Sequence, residues 1–338
     1  MTHQAPRHDD VAVHDVTLNL FAFPAMLIAH RLGLFRRLGA GPCPLDGIGA
    51  ALGLRRRPAE ALVNVAVALG FVRNQTGRFA LTTLGEDYLL ESSPTYFGAF
   101  WDLMIDNGGT FSVAALEEAL RRDAPQAYGA DDIFRSHEQQ AELGRRFTRA
   151  MHSLSAAHVN VWPTKLDLAG HRVMLDIGGG SGAHLCGALS AWPALRGVIF
   201  DLPIVCELSR EFVTDDGLRK RIALHPGDMW RDAFPCADLH FYANIFHDWP
   251  LDKGAFLARK SHAALPPGGR IVLHEVLYRD DKSGPLAAAA YSMMMVAWTE
   301  GEQYSAAALS GVLSGAGFAD IRTIPSFGHH SLVTGVKP

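Results

Sequence analysis

The stretch Leu175-Asp176-Ile177-Gly178-Gly179-Gly180-Ser181-Gly182 decides the fold. A short apolar run, Val173-Met174-Leu175, ends in an acid and then in four glycines within five residues. That order reads as a buried strand, a tight turn free of Cβ atoms, and a helix starting near Ala183. A backbone that can be approached this closely suits a nucleoside-bearing ligand at the carboxyl end of a strand. Glycine-rich turns also serve dinucleotide and phosphate sites. Here no Gly-Lys-Ser/Thr follows the loop, and an acid precedes it that would repel a phosphate.

Working outward, two more acids stand where a nucleoside site needs them. Ile199-Phe200-Asp201-Leu202-Pro203 reads as a second strand ending 25 residues beyond Asp176. A carboxylate there can accept hydrogen bonds from both ribose hydroxyls. His225-Pro226-Gly227-Asp228-Met229 puts an acid and a thioether at a third strand end, suited to an adenine amine and an adenine face. Asp176 suits a cation, such as an amino group or a sulfonium. The ligand that combines these features is S-adenosylmethionine, with Asp176, Gly178, Gly180, Asp201, Leu202, Asp228 and Met229 around it.

The chain has 338 residues, enough for two domains, and 48% of them are hydrophobic. A net charge of −4 and a pI near 6.5 leave no electrostatic footprint for nucleic acid or an anionic membrane. Cys43, Cys186, Cys206 and Cys236 are scattered without a Cys-x-x-C pair, which fits a reducing compartment. The N-terminus lacks the basic start and apolar stretch of a signal peptide. No uninterrupted run reaches the ~18–20 apolar residues of a membrane span. These features predict a cytoplasmic protein with no membrane contact.

Residues 1–98 read as helices followed by a hairpin. Two short helices, Leu45–Leu52 and Pro58–Leu69, precede two strands around Asn74-Gln75-Thr76-Gly77. This is the outline of a winged helix. Its would-be recognition helix, Ala59–Leu69, carries Glu60 and no Lys or Arg, so dimerisation is expected there rather than DNA binding. Residues 99–165 read as connecting helices. From 166 to 338 strands and helices alternate, with strands near 173–176, 197–201, 221–225, 238–245 and 270–277 and a closing hairpin. The expected fold class is α/β: a doubly wound sheet preceded by a mainly α, winged-helix domain.

The fourth strand leads into His247-Asp248-Trp249, at the edge where open α/β sheets bind ligands. An imidazole there can take a proton from an acceptor hydroxyl. Asn244 and Trp249 are assigned to the cofactor, Trp249 by stacking on adenine. A carboxylate bonded to His247 would fix its tautomer, and Glu275 and Glu302 are the two candidates. The run Tyr291-Ser292-Met293-Met294-Met295 reads as core, with one or two methionines able to line an acceptor pocket.

Taken in order, Leu175–Gly182, Phe200–Pro203, Gly227–Met229, His247–Trp249 and Leu265-Pro266-Pro267-Gly268-Gly269 resemble the motifs of the S-adenosylmethionine-dependent O-methyltransferases of the caffeate/isoflavone and bacterial antibiotic type. The resemblance spans nearly the whole chain. It implies a class I methyltransferase domain, a homodimer interlocked through the N-terminal domains, a base at His247, and support from Glu275 and Glu302. Position and resemblance together make Trp101, Met104, Phe147, Arg149, Met151, Met294 and Trp298 the walls of the pocket for a small-molecule acceptor. The chain departs from plant members at Ala243, where they carry lysine, and at Gly301-Glu302-Gln303-Tyr304-Ser305, where they carry Gly-Lys-Glu-Arg-Thr. The expected acceptor is a hydroxyl on an aromatic or polyketide-like secondary metabolite. Alternatives are C-methylation of a 2-oxo acid, a winged-helix regulator that senses S-adenosylmethionine, and a fold that binds the cofactor but has lost transfer. No metal is expected, and His152, His247 and His329 or His330 are the candidates for a converging metal set.

Overall fold

The computed structural model describes residues 7–125 and 141–338. The part of the helical reading that falls on 126–140 lies outside the described residues. The chain divides into two compact units, Met1–Ile105 and Asp106–Pro338.

In the first unit, the helix Val11–Leu32 stops where Gly33 enters the left-handed region, and its N–H closes onto Ala29 and His30. The helices Leu45–Leu52 and Arg56–Ala68 follow, then strands β2 (Val72–Gln75) and β3 (Arg78–Leu81). A short strand β1 (Cys43–Pro44) completes an antiparallel sheet in the order β1-β3-β2. Phe35, Ile48, Val63 and Phe79 pack together beneath it. Strand β1 is not legible in the sequence, because two residues cannot show alternation. The helix Val11–Leu32 is long and apolar enough to cross a membrane by length and composition, although His14, Asp15 and Asn19 interrupt its apolar runs. Met26 and Ala29, towards its C-terminal end, belong to the core of the unit, whereas the apolar side chains of its earlier turns lie outside it, Val16 being 75% and Phe21 65% exposed.

The second unit is built on a seven-stranded sheet. In chain order its strands are β4 (Val173–Ile177), β5 (Arg196–Asp201), β6 (Ile222–Pro226), β7 (Leu239–Ala243), β8 (Arg270–Val276), β9 (Ala319–Pro325) and β10 (His330–Val336). They lie in the order β6-β5-β4-β7-β8-β10-β9. The first five run parallel, and β10 enters antiparallel between β8 and β9. Both faces are covered, so successive side chains of a strand enter opposite cores. Leu175 and Ile177 pack with Tyr242, Phe246 and Leu273 on one face, and Met174 packs with Trp162, Leu189 and Phe241 on the other. The strand order reverses beside β4, which opens a crevice at the carboxyl ends of β4, β5 and β7.

Candidate active site

The glycine turn after β4 needs its glycines. Gly178, Gly180 and Gly182 all hold positive φ, a region that costs any residue with a Cβ. The turn is tied to the next strand by Gly178 N–H donating to the Phe200 carbonyl at 2.8 Å. Asp201 does the same from its side chain: it accepts from Gly180 N–H at 2.9 Å and from Leu202 N–H at 2.7 Å. Each oxygen keeps a lone pair for a further donor. Burial raises the Asp201 pKa to about 6, against these two hydrogen bonds.

Asp176 is 2% exposed, and its Oδ2 has no hydrogen-bond partner among the described residues. Burial first, and the nearby Asp201 second, push its pKa up to about 8. An orphaned buried oxygen beside a second acid is a place where a ligand cation would be stabilised. On the third strand end, Asp228 Oδ1 accepts from Trp230 N–H at 2.8 Å. Met229 packs against the core beside it, and its carbonyl accepts from Lys260.

The catalytic expectation centres on His247, which sits in a one-turn helix after β7 and is 3% exposed. Its Nδ1 bonds Glu275 Oε2 at 2.7 Å. The other Glu275 oxygen accepts from Ile245 N–H at 3.1 Å and Phe246 N–H at 2.9 Å. A carboxylate held this way fixes the proton on Nδ1 and leaves Nε2 as the acceptor. Burial lowers the His247 pKa, but Glu275 and Asp248 outweigh it and hold the imidazole above its ordinary value.

Beside His247 stand two groups that the sequence did not single out, Asp248 at its Nε2 and Tyr291 against its ring. Asp248 Oδ1 lies 3.5 Å from Nε2, and the Tyr291 ring lies 5.1 Å from the imidazole. Burial raises the Asp248 pKa to about 7; His247 opposes this and Glu275 adds to it. Adjacency to His247 was a signal for Asp248. Tyr291 had none, because its neighbours Met293–Met295 read as core.

Glu302 is elsewhere: it is exposed and pairs with Lys282 at 3.0 Å, so of the two candidates Glu275 is the one hydrogen-bonded to His247. The reason is the loop backbone. Gly301 packs directly on the His247–Trp249 peptides, Gln303 turns inward, and Glu302 between them must point out. Trp249 also departs from its expected role. It is buried edge-on against Trp230 at 5.0 Å, and the Lys253 ammonium lies 4.5 Å over its ring, which leaves that face no room for adenine. Asn244 holds a positive φ, and its Oδ1 accepts from His330 Nε2 at 3.3 Å.

The histidines named as metal candidates do not converge. His152 bonds Ser181, His247 bonds Glu275 and His330 bonds Asn244, each on a different partner. Among the described residues, no group of three or more His, Cys, Asp or Glu is arranged to hold a metal. Of the expected acceptor walls, Phe147 and Trp298 stack at 6.4 Å, and Phe111 joins them at 5.8 Å from Trp298. Met151 and Met294 are half-buried, while Arg149 is exposed. Trp101 and Met104 are buried in the first unit, Trp101 packing edge-on against His30 and Phe97.

Known proteins share the family and the fold of this chain. Residues 113–319 match the O-methyltransferase domain. A 3-hydroxy-5-methyl-1-naphthoate 3-O-methyltransferase of Streptomyces sahachiroi is 32% identical over 96% of this chain and 94% of its own length. Human N-acetylserotonin methyltransferase, solved with S-adenosylmethionine, shares the fold with a TM-score of 0.87 at 24% identity, over 99% of both chains. PigF, solved with S-adenosylhomocysteine, aligns with a TM-score of 0.81 at 25% identity, over 98% of this chain and 100% of its own. The chain thus belongs to the O-methyltransferase domain family, enzymes that use S-adenosylmethionine to methylate oxygen.

Proposed function

We propose that this chain methylates a hydroxyl of a small aromatic or polyketide-like secondary metabolite, with His247 as the general base. One observation carries the reading: the His247–Glu275 bond of 2.7 Å, with the second Glu275 oxygen held by two backbone N–H groups. S-adenosylmethionine, when bound, supplies an already electrophilic methyl group. Asp176, Gly178, Gly180, Asp201 and Asp228 are the residues to hold it, and the orphaned Asp176 oxygen is the feature that fits its cationic part.

The chain's own work is then modest. His247 Nε2 accepts the hydroxyl proton as the oxygen attacks, and Glu275 stabilises the resulting imidazolium. Because its carboxylate partners raise the His247 pKa, the base form grows as pH rises, and the rate should rise with it. The aromatic faces of Phe111, Phe147 and Trp298 suit a flat acceptor. The naphthoate methyltransferase relative supports a fused-ring phenol as the acceptor class. We read the protein as a cytoplasmic homodimer, joined through the exposed apolar face of Val11–Leu32.

The test is methyl transfer from labelled S-adenosylmethionine to a phenol and naphthol panel. Label on these acceptors, reduced about 10²–10⁴-fold in His247→Gln, is the expected result. Undiminished transfer in that variant would remove His247 from the mechanism.

A further inference from the structure

The turn that carries His247 is built on a backbone conformation that a side chain disfavours. Asn244, the residue after β7, has a φ of 54°, in the left-handed region that asparagine tolerates better than most. Ile245 after it returns to the right-handed region. A left-handed residue followed by a right-handed one turns successive N–H groups to one side and makes a small anion cradle. Glu275 fills this cradle: Ile245 N–H and Phe246 N–H both donate to its Oε1, at 3.1 and 2.9 Å. The other oxygen of the same carboxylate reaches His247 Nδ1 at 2.7 Å. The aim of the imidazole thus depends on the conformation of Asn244.

Asn244 N–H is spent on the His274 carbonyl at 3.1 Å, which ties the end of β7 to β8. Its side-chain Oδ1 accepts from His330 Nε2 at 3.3 Å, across 86 positions of sequence. His330 opens β10 and is itself firmly seated. Its ring stacks on His274 with centroids 4.8 Å apart and lies 4.2 Å from His158. The turn before it is closed by Ser326 N–H on the His330 carbonyl and His330 N–H on the Phe327 carbonyl, both at 3.0 Å. Ser326 Oγ also hydrogen-bonds His274 Nε2 at 3.1 Å. Burial first, then His158 and His184, hold His330 well below the ordinary histidine range. It is therefore a neutral ring with one N–H, and an amide oxygen, which can only accept, fixes that proton on Nε2.

We propose that His330 is a positioning residue for the base: by donating to Asn244 Oδ1 it locks the left-handed turn whose N–H groups grip Glu275, and Glu275 in turn aims His247. The closing hairpin β9–β10 thereby sets the geometry of a residue more than eighty positions upstream. The inference rests on the reading of His247 as the base and deepens it.

The experiment reads the His247–Glu275 bond directly, as the far-downfield proton resonance of His247 Nδ1–H in the full-length protein. The signal is assigned by its loss in His247→Gln, and kcat is the second readout. His330→Leu nearly keeps the volume of the ring and removes the donor. The resonance should move upfield or broaden away, and kcat should fall about 5–30-fold, the range of a left-handed conformation no longer held. Glycine takes that conformation with no side chain to hold. In the Asn244→Gly background, His330→Leu should therefore leave both readouts where Asn244→Gly alone puts them. His330→Gln, which still offers an amide N–H, should recover most of the loss. If His330→Leu fails to fold, Asn244→Ala should lose the resonance and Asn244→Gly keep it. A resonance absent from wild type or unmoved in His330→Leu, an equal loss in the Asn244→Gly background, or equal signals in the alanine and glycine variants would overturn the proposal. Full activity in His247→Gln would instead remove the base reading, and the resonance would still report the hold of His330 on Asn244.

Discussion

At the scale of single residues, Glu275 serves three donors with two oxygens: the Ile245 and Phe246 N–H groups on one and His247 Nδ1 on the other. Glu275→Gln keeps the shape but offers an amide that can present either atom to the imidazole. The wrong tautomer then becomes accessible, and kcat should fall about 10²–10⁴-fold, as when the orienting member of a base relay is lost. The sign of the pH effect follows as well. Glu275 is the foremost group that raises the His247 pKa, so its removal should move the residual pH–rate profile towards lower pH. A profile that stays in place would show that Glu275 does not set the base. Asp176 was legible in sequence as an acid before a glycine turn. Its orphaned oxygen was not, because only packing determines which atoms lose their water.

At the scale of elements, the loop 299–305 clamps the His247 segment through its backbone. A Cβ on Gly301 would overlap the His247 carbonyl and the Trp249 nitrogen, while Tyr304 Oη donates to the Trp249 carbonyl at 2.7 Å. Gly301→Ala should therefore cost about 1–3 kcal/mol by overpacking and should depress activity by moving His247. Gly311 is the control. It lies inside the helix Ala306–Gly315 with open space at its Cβ, so Gly311→Ala should stabilise by about 0.5–1 kcal/mol. Thermal melts of both variants check the pair, and a stable, active Gly301→Ala would break the clamp argument. The same loop explains why Glu302 seemed a fair partner for His247. Spacing along a loop carries no periodicity, so the sequence could not tell which of Glu302 and Gln303 turns inward.

For the whole molecule, the second unit hides a cluster of imidazoles. His158, His274 and His330 lie with ring centroids 4.2–5.7 Å apart, and His184 lies 5.3 Å from His274. Burial lowers all four, His184 to about 3, and the rings repel one another's charge. The unfolded chain binds protons on these groups that the fold refuses. Stability is therefore complete above the ordinary histidine pKa of about 6.5 and falls as pH drops below it. Asp176, Asp201, Asp248 and His247 act in the opposite sense, since their pKa values are raised, but with His152, His171 and His240 added to the cluster the depressed histidines outnumber them. The melting temperature should fall steeply between pH 7 and pH 5. His184→Leu should flatten that fall, because neither His184 nitrogen has a partner to lose among the described residues. An unchanged slope would remove the cluster from the cause. The helix Val11–Leu32 makes a further prediction at this scale. Wild-type chain should sediment as a dimer of the 36.7 kDa protomer, and Phe21→Asp as a monomer. Recovery of the wild type with membranes would instead assign that apolar face to a bilayer.

Periodicity and turn chemistry in the sequence alone determined the alternating strands, the glycine turn, the three acids at strand ends and the histidine after the fourth strand. Each depends on residues close together in the chain. The helix Leu45–Leu52 falls where the sequence put it, since Gly53 marks its end at short range. Tertiary structure alone decided that β10 lies between β8 and β9, that Glu275 rather than Glu302 meets His247, that Lys253 covers Trp249, and that Asp248 stands at Nε2. These depend on which distant segments share a water-free space, and the cost of an unmatched polar group in that space exists only once the chain has closed around it.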